Sequence, residues 1–459
     1  MSNQETITWQ SGITGAPLPP LVDPRDMAGA ARLFVEQYRK LGPIFRLPQP
    51  GKPLTILAGP EANTFMARYE DEFFITRLPW EDFDSSLATL GSIGTSKAGD
   101  GEVNRQRRAR SSRGYSRAQV INQLPRMIEI THEFTQTWLP GTSVAVLPSM
   151  QRVVAEQLGQ LLVRHGPGDY LQDFITYLDT NINLAFNPGP QAMAALSSPE
   201  YVQAKERAHE LGRSILEAHR AALDPIGHPD LMDDVLEEAK KHPAEYPETI
   251  LEGAGLGPLL AGLDTVANTC SFMFYALLKH QQVLKRVEAE VDTVFAQGPL
   301  TWEELKSMQA LHGAAMETLR LYPVASGHRT RVAKPLTFAG YRLEPGDDVL
   351  VAMTVSHFLP ELFPEPETFD IDRYHDPRNE HRQRGAYAPF GLGEHTCLGA
   401  GIAEIQLMVI IGTLLHAYEL ELDPPTYELT VVHAPTPSPG KRFHIKVIAK
   451  RKHEPGAEN

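Results

Sequence analysis

The sequence predicts a predominantly α protein of the α+β class, and three patterns carry that prediction. Helical periodicity runs through about 118–165, 168–223, 247–295 and 303–322, with polar interruptions. Strand-like segments are short and fall in two regions, one near each end of the chain. There is no internal repeat, no low-complexity block and no long Gly/Ser linker. The 459 residues are therefore expected to form one domain, 1–459, with a flexible lead over 1–20 and a flexible tail over 451–459. That length buries enough surface for a closed apolar cavity.

The elements follow in order. After a proline-rich lead, Gly42–Leu47 and Leu54–Ala58 read as a hairpin, and Gly59-Pro60-Glu61 starts a helix, since proline is tolerated in a first turn. The stretch from Pro247 to Phe295 reads as one long helix, apolar in its first half and charged in its second. Another helix covers about Glu303 to Tyr322. Pro335 to Met353 alternates as strands around a Pro345-Gly346 turn, and Tyr418–Leu422 with Phe443–Ala449 forms the last strand patch. Between these lies an apolar run from Leu398 to Leu414, the pattern of a buried helix.

The net charge of −14 makes nucleic acid an unfavourable partner. Against it stand six arginines between Arg105 and Arg117 with no acid among them. They are either a solvated helix face or a local site for an anionic group or redox partner. Only Cys270 and Cys397 are present, so a metal-bound cysteine leaves no internal disulfide, which fits a reducing compartment. The N-terminal residues show neither a basic n-region nor an apolar h-region, so the expectation is a cytoplasmic protein without a membrane anchor.

The ten residues Phe390 to Gly399 carry the most chemistry. A glycine-rich loop (Gly391, Gly393) places Cys397 at the start of the apolar helix, where unpaired N–H groups and the macrodipole favour a thiolate. With Phe390, His395 and Gly399 at fixed offsets, the loop resembles the haem-binding loop of the cytochrome P450 family. Three further segments resemble that family in the expected order. Ala261-Gly262-Leu263-Asp264-Thr265 is similar to its central-helix motif, and a mid-helix acid in an apolar run is expensive without a task. Glu317-Thr318-Leu319-Arg320 puts an acid and a base on one helix face, and Arg373 follows Pro366-Glu367-Thr368-Phe369. Gly101 to Arg108 resembles the segment that meets a haem propionate, with Asn104 where His or Trp is usual.

The resemblance implies a large helical body with small N-terminal and C-terminal β-sheet regions. It implies haem b held by Cys397 as axial ligand, with Arg108, His395 and either Arg329 or Arg331 near the propionates. Ala261 and Gly262 would leave room above the iron, Thr265 would donate a hydrogen bond there, and Asp264 would relay protons from solvent. Glu317, Arg320 and Arg373 would form a buried network holding the cysteine loop. Gln406 replaces a frequent acid and reads as a surface change. Apolar residues expected to line a substrate pocket are Phe83, Leu87, Leu90, Phe174, Leu184, Phe186, Leu260, Leu263, Val324 and Ala325.

The implied activity is insertion of one oxygen atom from O2 into an apolar terpenoid, steroid or fatty-acid-like molecule by a monomeric enzyme. Electrons would come from NAD(P)H through a separate reductase and a ferredoxin or flavodoxin, since the chain has no room for a flavin or iron–sulfur domain. Peroxide-driven or non-oxygenating chemistry is the first alternative, and a haem-thiolate sensor or electron carrier the second. Retention of Asp264 and Thr265 favours the monooxygenase over both.

Overall fold

The computed structural model describes residues 10–11, 17–22, 33–49, 51–75, 101–186, 189–221 and 229–451. Phe83, Leu87 and Leu90 lie outside these, as do the side chains of Asn104 and Phe186 and most of the expected lead and tail.

A two-residue strand β1 (Gln10–Ser11) and helix α1 (Leu33–Leu41) precede the expected hairpin, β2 (Ile44–Leu47) and β3 (Leu54–Ala58). Helix α2 (Gly59–Phe73) starts where β3 ends, with Pro60 in its first turn. Gly59 has φ +84°, and a Cβ there would come 2.2 Å from the Tyr38 ring, so only glycine fits this corner. Next come β4 (Phe74–Ile75), α3 (Gly101–Ser111), α4 (Ala118–Ile121), α5 (Leu124–Thr135), β5 (Ser143–Ala145) and α6 (Val146–Leu162). Helices α7 (Leu171–Phe186), α8 (Pro190–Ala195), α9 (Pro199–Ala221) and α10 (Leu231–Lys241) complete the first half.

The second half begins with α11 (Glu248–Lys279), α12 (Gln281–Phe295), α13 (Trp302–Ser307) and α14 (Gln309–Leu321). The expected helix over 247–295 is thus two helices. The break carries no glycine or proline: the His280 ring bonds Ala276 O at 2.7 Å and its own N–H reaches the Ala276 and Leu277 carbonyls at 3.1 Å. The helix over 303–322 also divides, at Met308, after a Thr301–Glu304 capping box that starts α13. Strands β6 (His328–Val332), β7 (Leu336–Phe338), β8 (Tyr341–Leu343) and β9 (Asp348–Ala352) follow, then α15 (Ala400–Ala417), β10 (Tyr418–Asp423) and β11 (His444–Lys450).

Strands distant in sequence join one sheet of order β2-β3-β9-β6-β4, in which only β3 and β9 run parallel. A second sheet, β10-β11-β5, uses a strand inside the 118–165 segment, whose periodicity reads as helical with polar interruptions. Helix α11 runs through the core against α6, α9 and α15. It continues unbroken through Pro258, which removes the N–H that would meet Ala254 O. Burial on nearly every side outweighs that lost bond, a penalty of about 3 kcal/mol in an isolated helix. Helices α11 and α15 are long and apolar enough to cross a membrane, yet 67% of each apolar window is buried inside the protein, as in core helices.

Candidate functional site

The segment Phe390–Gly399 forms a closed loop in which the Cys397 N–H donates to Phe390 O at 2.8 Å. Gly391 and Gly393 take φ +81° and +66°, backbone that other residues adopt at a cost. A Cβ on Gly393 would also lie 2.3 Å from Glu70 Oε2, whereas on Gly391 it would meet nothing within 3.7 Å. A Cβ at Gly399 would stand 3.9 Å from Cys397 Sγ, in the space that a flat ligand on this sulfur needs. Phe390 packs partly buried against the main core, which fixes the loop's first end.

Cys397 is exposed and Cys270 is buried, so one thiol of the two can reach a ligand. Protein around the sulfur makes burial the largest influence and pushes the thiol up; the Gly399 and Ala400 N–H groups and Arg108 pull it down by less. A bound metal ion would complete the deprotonation, as it does for any coordinating thiol.

Glu317, Arg320 and Arg373 come together as expected and are 0–1% exposed. Arg320 grips Glu317 with two bonds of 2.7 and 2.8 Å, and Arg373 Nε donates to it at 3.1 Å. The sequence reading missed two members: Tyr374 Oη donates to Glu317 at 2.6 Å, and Glu380 receives Arg373 Nη1 at 2.8 Å. Glu380 also receives Arg378 at 2.6 Å, and Arg378 pairs with Asp370 at 2.7 Å, so three acids face three bases. The remaining guanidinium protons reach the carbonyls of His357, Pro364, Glu365 and Pro366. Such a cluster is tolerable in the interior because its charges are paired and saturated with hydrogen bonds.

Cationic groups gather beside the loop. Arg108 on α3 is half-buried and donates to the Thr396 carbonyl, next to Cys397. His395 Nδ1 and His328 Nε2 both meet Glu70 Oε1, at 3.0 and 3.1 Å, with their rings stacked. Burial alone would raise the Glu70 carboxyl; hydrogen bonds and charge from the two histidines overcome it and hold the group at about 2. Glu70 therefore ties α2, β6 and the cysteine loop together, and no sequence motif announced it. The two open arginine candidates now differ. Arg331 pairs with Asp348 at 2.9 Å, while Arg329 makes no ion pair or side-chain hydrogen bond among the described residues.

On α11, Ala261 is exposed in an otherwise largely buried helix, and Thr265 follows one turn later. Thr265 Oγ1 donates back to Ala261 O at 3.2 Å. Gly262 lets α11 pack closely on α6: a Cβ there would lie 2.9 Å from Leu158. Asp264 is gripped on both oxygens, by Asn268 Nδ2 at 2.8 Å and by Thr436 Oγ1 at 2.5 Å. Burial raises its carboxyl, with the two hydrogen bonds pulling the other way.

Several expected pocket residues belong to the core. Phe174 is 0% exposed against Tyr177, Leu263 is 1% exposed, and Leu184 and Leu260 are buried, so their side chains pack against protein. Val324 is half-buried and Ala325 exposed. Gln406 is corrected from surface to interior: it is 1% exposed and bonds Gln157 at 3.3 Å.

The arginine cluster of residues 105–117 is no bare basic patch. Arg105 pairs with Glu394 at 2.9 Å, Arg110 with Glu245 and Glu238, Arg113 with Asp234, and Arg117 with Glu404. Acids from α10 and the loops supply most of the neutralisation.

Comparison with known proteins agrees with this arrangement. The family model described as Cytochrome P450 matches residues 25–444. Lanosterol 14-alpha demethylase of Bos taurus is 26% identical over 92% of this chain and 87% of its own length. Cyclooctat-9-en-7-ol 5-monooxygenase of Streptomyces melanosporofaciens is 30% identical over 75% of this chain and 76% of its own. Among solved structures, retinoic acid-bound cyanobacterial CYP120A1 shares the fold with a TM-score of 0.79 and 24% identity, covering 94% of this chain and 99% of that one.

Proposed function

Since this chain belongs to the cytochrome P450 family, we propose that it hydroxylates a sterol- or terpenoid-sized apolar molecule on haem b bound through Cys397. The observation that carries the reading is Cys397, the exposed one of the two cysteines, whose sulfur is backed by the Gly399 and Ala400 N–H groups at the start of α15. The residues present fit haem: a sulfur donor, glycines where a flat ring needs room, and cations beside them. When bound, haem supplies the centre at which R–H, O2, two electrons and two protons become R–OH and H2O.

The chain's own residues do the rest. Arg108 and Arg329 would meet the propionates, with His395 beside them; Arg331 is committed to Asp348. Ala261 leaves space on the distal side, and Thr265 and Asp264 hold and pass protons there. The substrate class draws on the relatives named for lanosterol and for cyclooctat-9-en-7-ol. We further read the chain as one cytoplasmic, monomeric domain that receives electrons from NAD(P)H through a separate reductase and a ferredoxin or flavodoxin.

The test is the absorption spectrum of the dithionite-reduced protein under carbon monoxide, for wild type and Cys397→Ser. A far red-shifted Soret band that the variant loses supports the assignment. A haem spectrum without that band in wild type overturns it.

A further inference from the structure

Asp264 lies on α11, but one of its two partners comes from 172 residues further on. Thr436 stands in a turn closed by Val432 and Ser438, which exchange N–H···O bonds of 2.8 Å in both directions. Pro435, Pro437 and Pro439 alternate through this turn, and each fixes its φ. The hydroxyl is thus delivered by a stiff piece of backbone and not by a long mobile side chain.

The two partners of Asp264 are chemically unequal. Asn268 presents an amide nitrogen, which only donates, so Oδ1 stays an acceptor. A hydroxyl both donates and accepts. When Asp264 is ionised, Thr436 Oγ1 donates to Oδ2; when it is protonated, the hydroxyl turns and accepts from Oδ2–H. The proton of Asp264 therefore belongs on Oδ2, facing Thr436. We propose that Thr436 is the positioning residue of the proton relay, fixing which oxygen of Asp264 carries the proton and passing protons to it from solvent. In that relay Thr436 gives its hydroxyl hydrogen to Oδ2 and takes another from solvent, so its own state is unchanged. This rests on the reading of Asp264 as the proton donor of a monooxygenase.

Other groups face the same carboxyl. Asp179 on α7 is raised to about 6 by burial and by Asp264, and Lys441, beyond the turn, opposes that rise. Any titration must separate the two acids.

The experiment compares haem-loaded wild type, Thr436→Val and Thr436→Ser. The Asp264 carboxyl is titrated by infrared difference spectroscopy, with Asp264→Asn and Asp179→Asn assigning the bands. The share of electrons recovered as product rather than hydrogen peroxide is measured beside it. Valine keeps the shape of threonine and removes the hydroxyl, so it should raise the Asp264 midpoint and lower the product share about tenfold, the scale of one hydrogen bond to a charged group. Serine should restore both. Equal behaviour of all three proteins overturns the proposal, and so does an equal loss in valine and serine variants, which would mark a packing role. Failure of the underlying reading is distinguishable, because wild type itself would then lack the carbon monoxide band.

Discussion

His357 Nε2 accepts the backbone N–H of Ala388 at 3.1 Å, while Nδ1 of the same ring meets Arg320 O at 3.3 Å. One neutral imidazole thus joins the end of α14 to the strand of chain that enters the cysteine loop. Burial and the nearby Arg320 hold it uncharged, at about 3. Replacing it with phenylalanine keeps the stacking on Tyr387 but strands a buried N–H and a buried carbonyl. His357→Phe should lose about 1–3 kcal/mol in urea unfolding and retain less haem after gel filtration.

Glu380 closes the charge balance of the buried network. Glu380→Gln removes the acid that Arg373 shares with Arg378 and leaves the buried Arg373 with surplus charge, and the expected loss is about 3–5 kcal/mol. Thermal unfolding measures it. A double change with Arg373→Met should recover part of that loss, since the unpaired charge disappears.

Glu70 sets an acid limit. Its carboxyl is held at about 2 against an ordinary 4.5, so its stabilising contribution is complete above pH 4.5 and fades as pH falls toward 2. In Glu70→Gln the pH-dependent part of stability across that window should shrink by about 3 kcal/mol. Unfolding curves at pH 6, 4 and 3 check it.

Arg329 and Arg331 make opposite forecasts. Arg329→Ala should speed haem transfer to apomyoglobin about tenfold, the loss of one charge-assisted bond. Arg331→Ala should leave that rate near wild type, because its guanidinium is already bound to Asp348.

What could be read from the sequence was local. The cysteine loop, the Glu317–Arg320 pair and the Ala261–Thr265 segment each lie within a few residues, so their spacing announces them. Glu70, His357 and Thr436 join the site across long sequence separations, and no spacing rule reaches that far; Glu380 lies only seven residues after Arg373, but in irregular chain with no helical or strand period to pair them. Gln406 is different, because its burial was legible. It stands in a helix apolar on every side, among Ile405, Leu407 and Met408, where no face is left for solvent. The break at His280 escaped because a histidine side chain, not glycine or proline, ends the helix.

The paired arginines of residues 105–117 bear on how the protein meets its electron source. Arg113 is held by Asp234, so Arg113→Glu should loosen α10 and lower the melting temperature before it alters any docking rate. Four positive charges of this face, at Arg105, Arg110, Arg113 and Arg117, are answered from within, which weakens their pull on a carrier at a distance. The protein's reduction rate should then change little between low and moderate ionic strength. The protein would accept electrons from interchangeable carriers by fit at short range, and a cell could redirect it by changing which carrier is abundant.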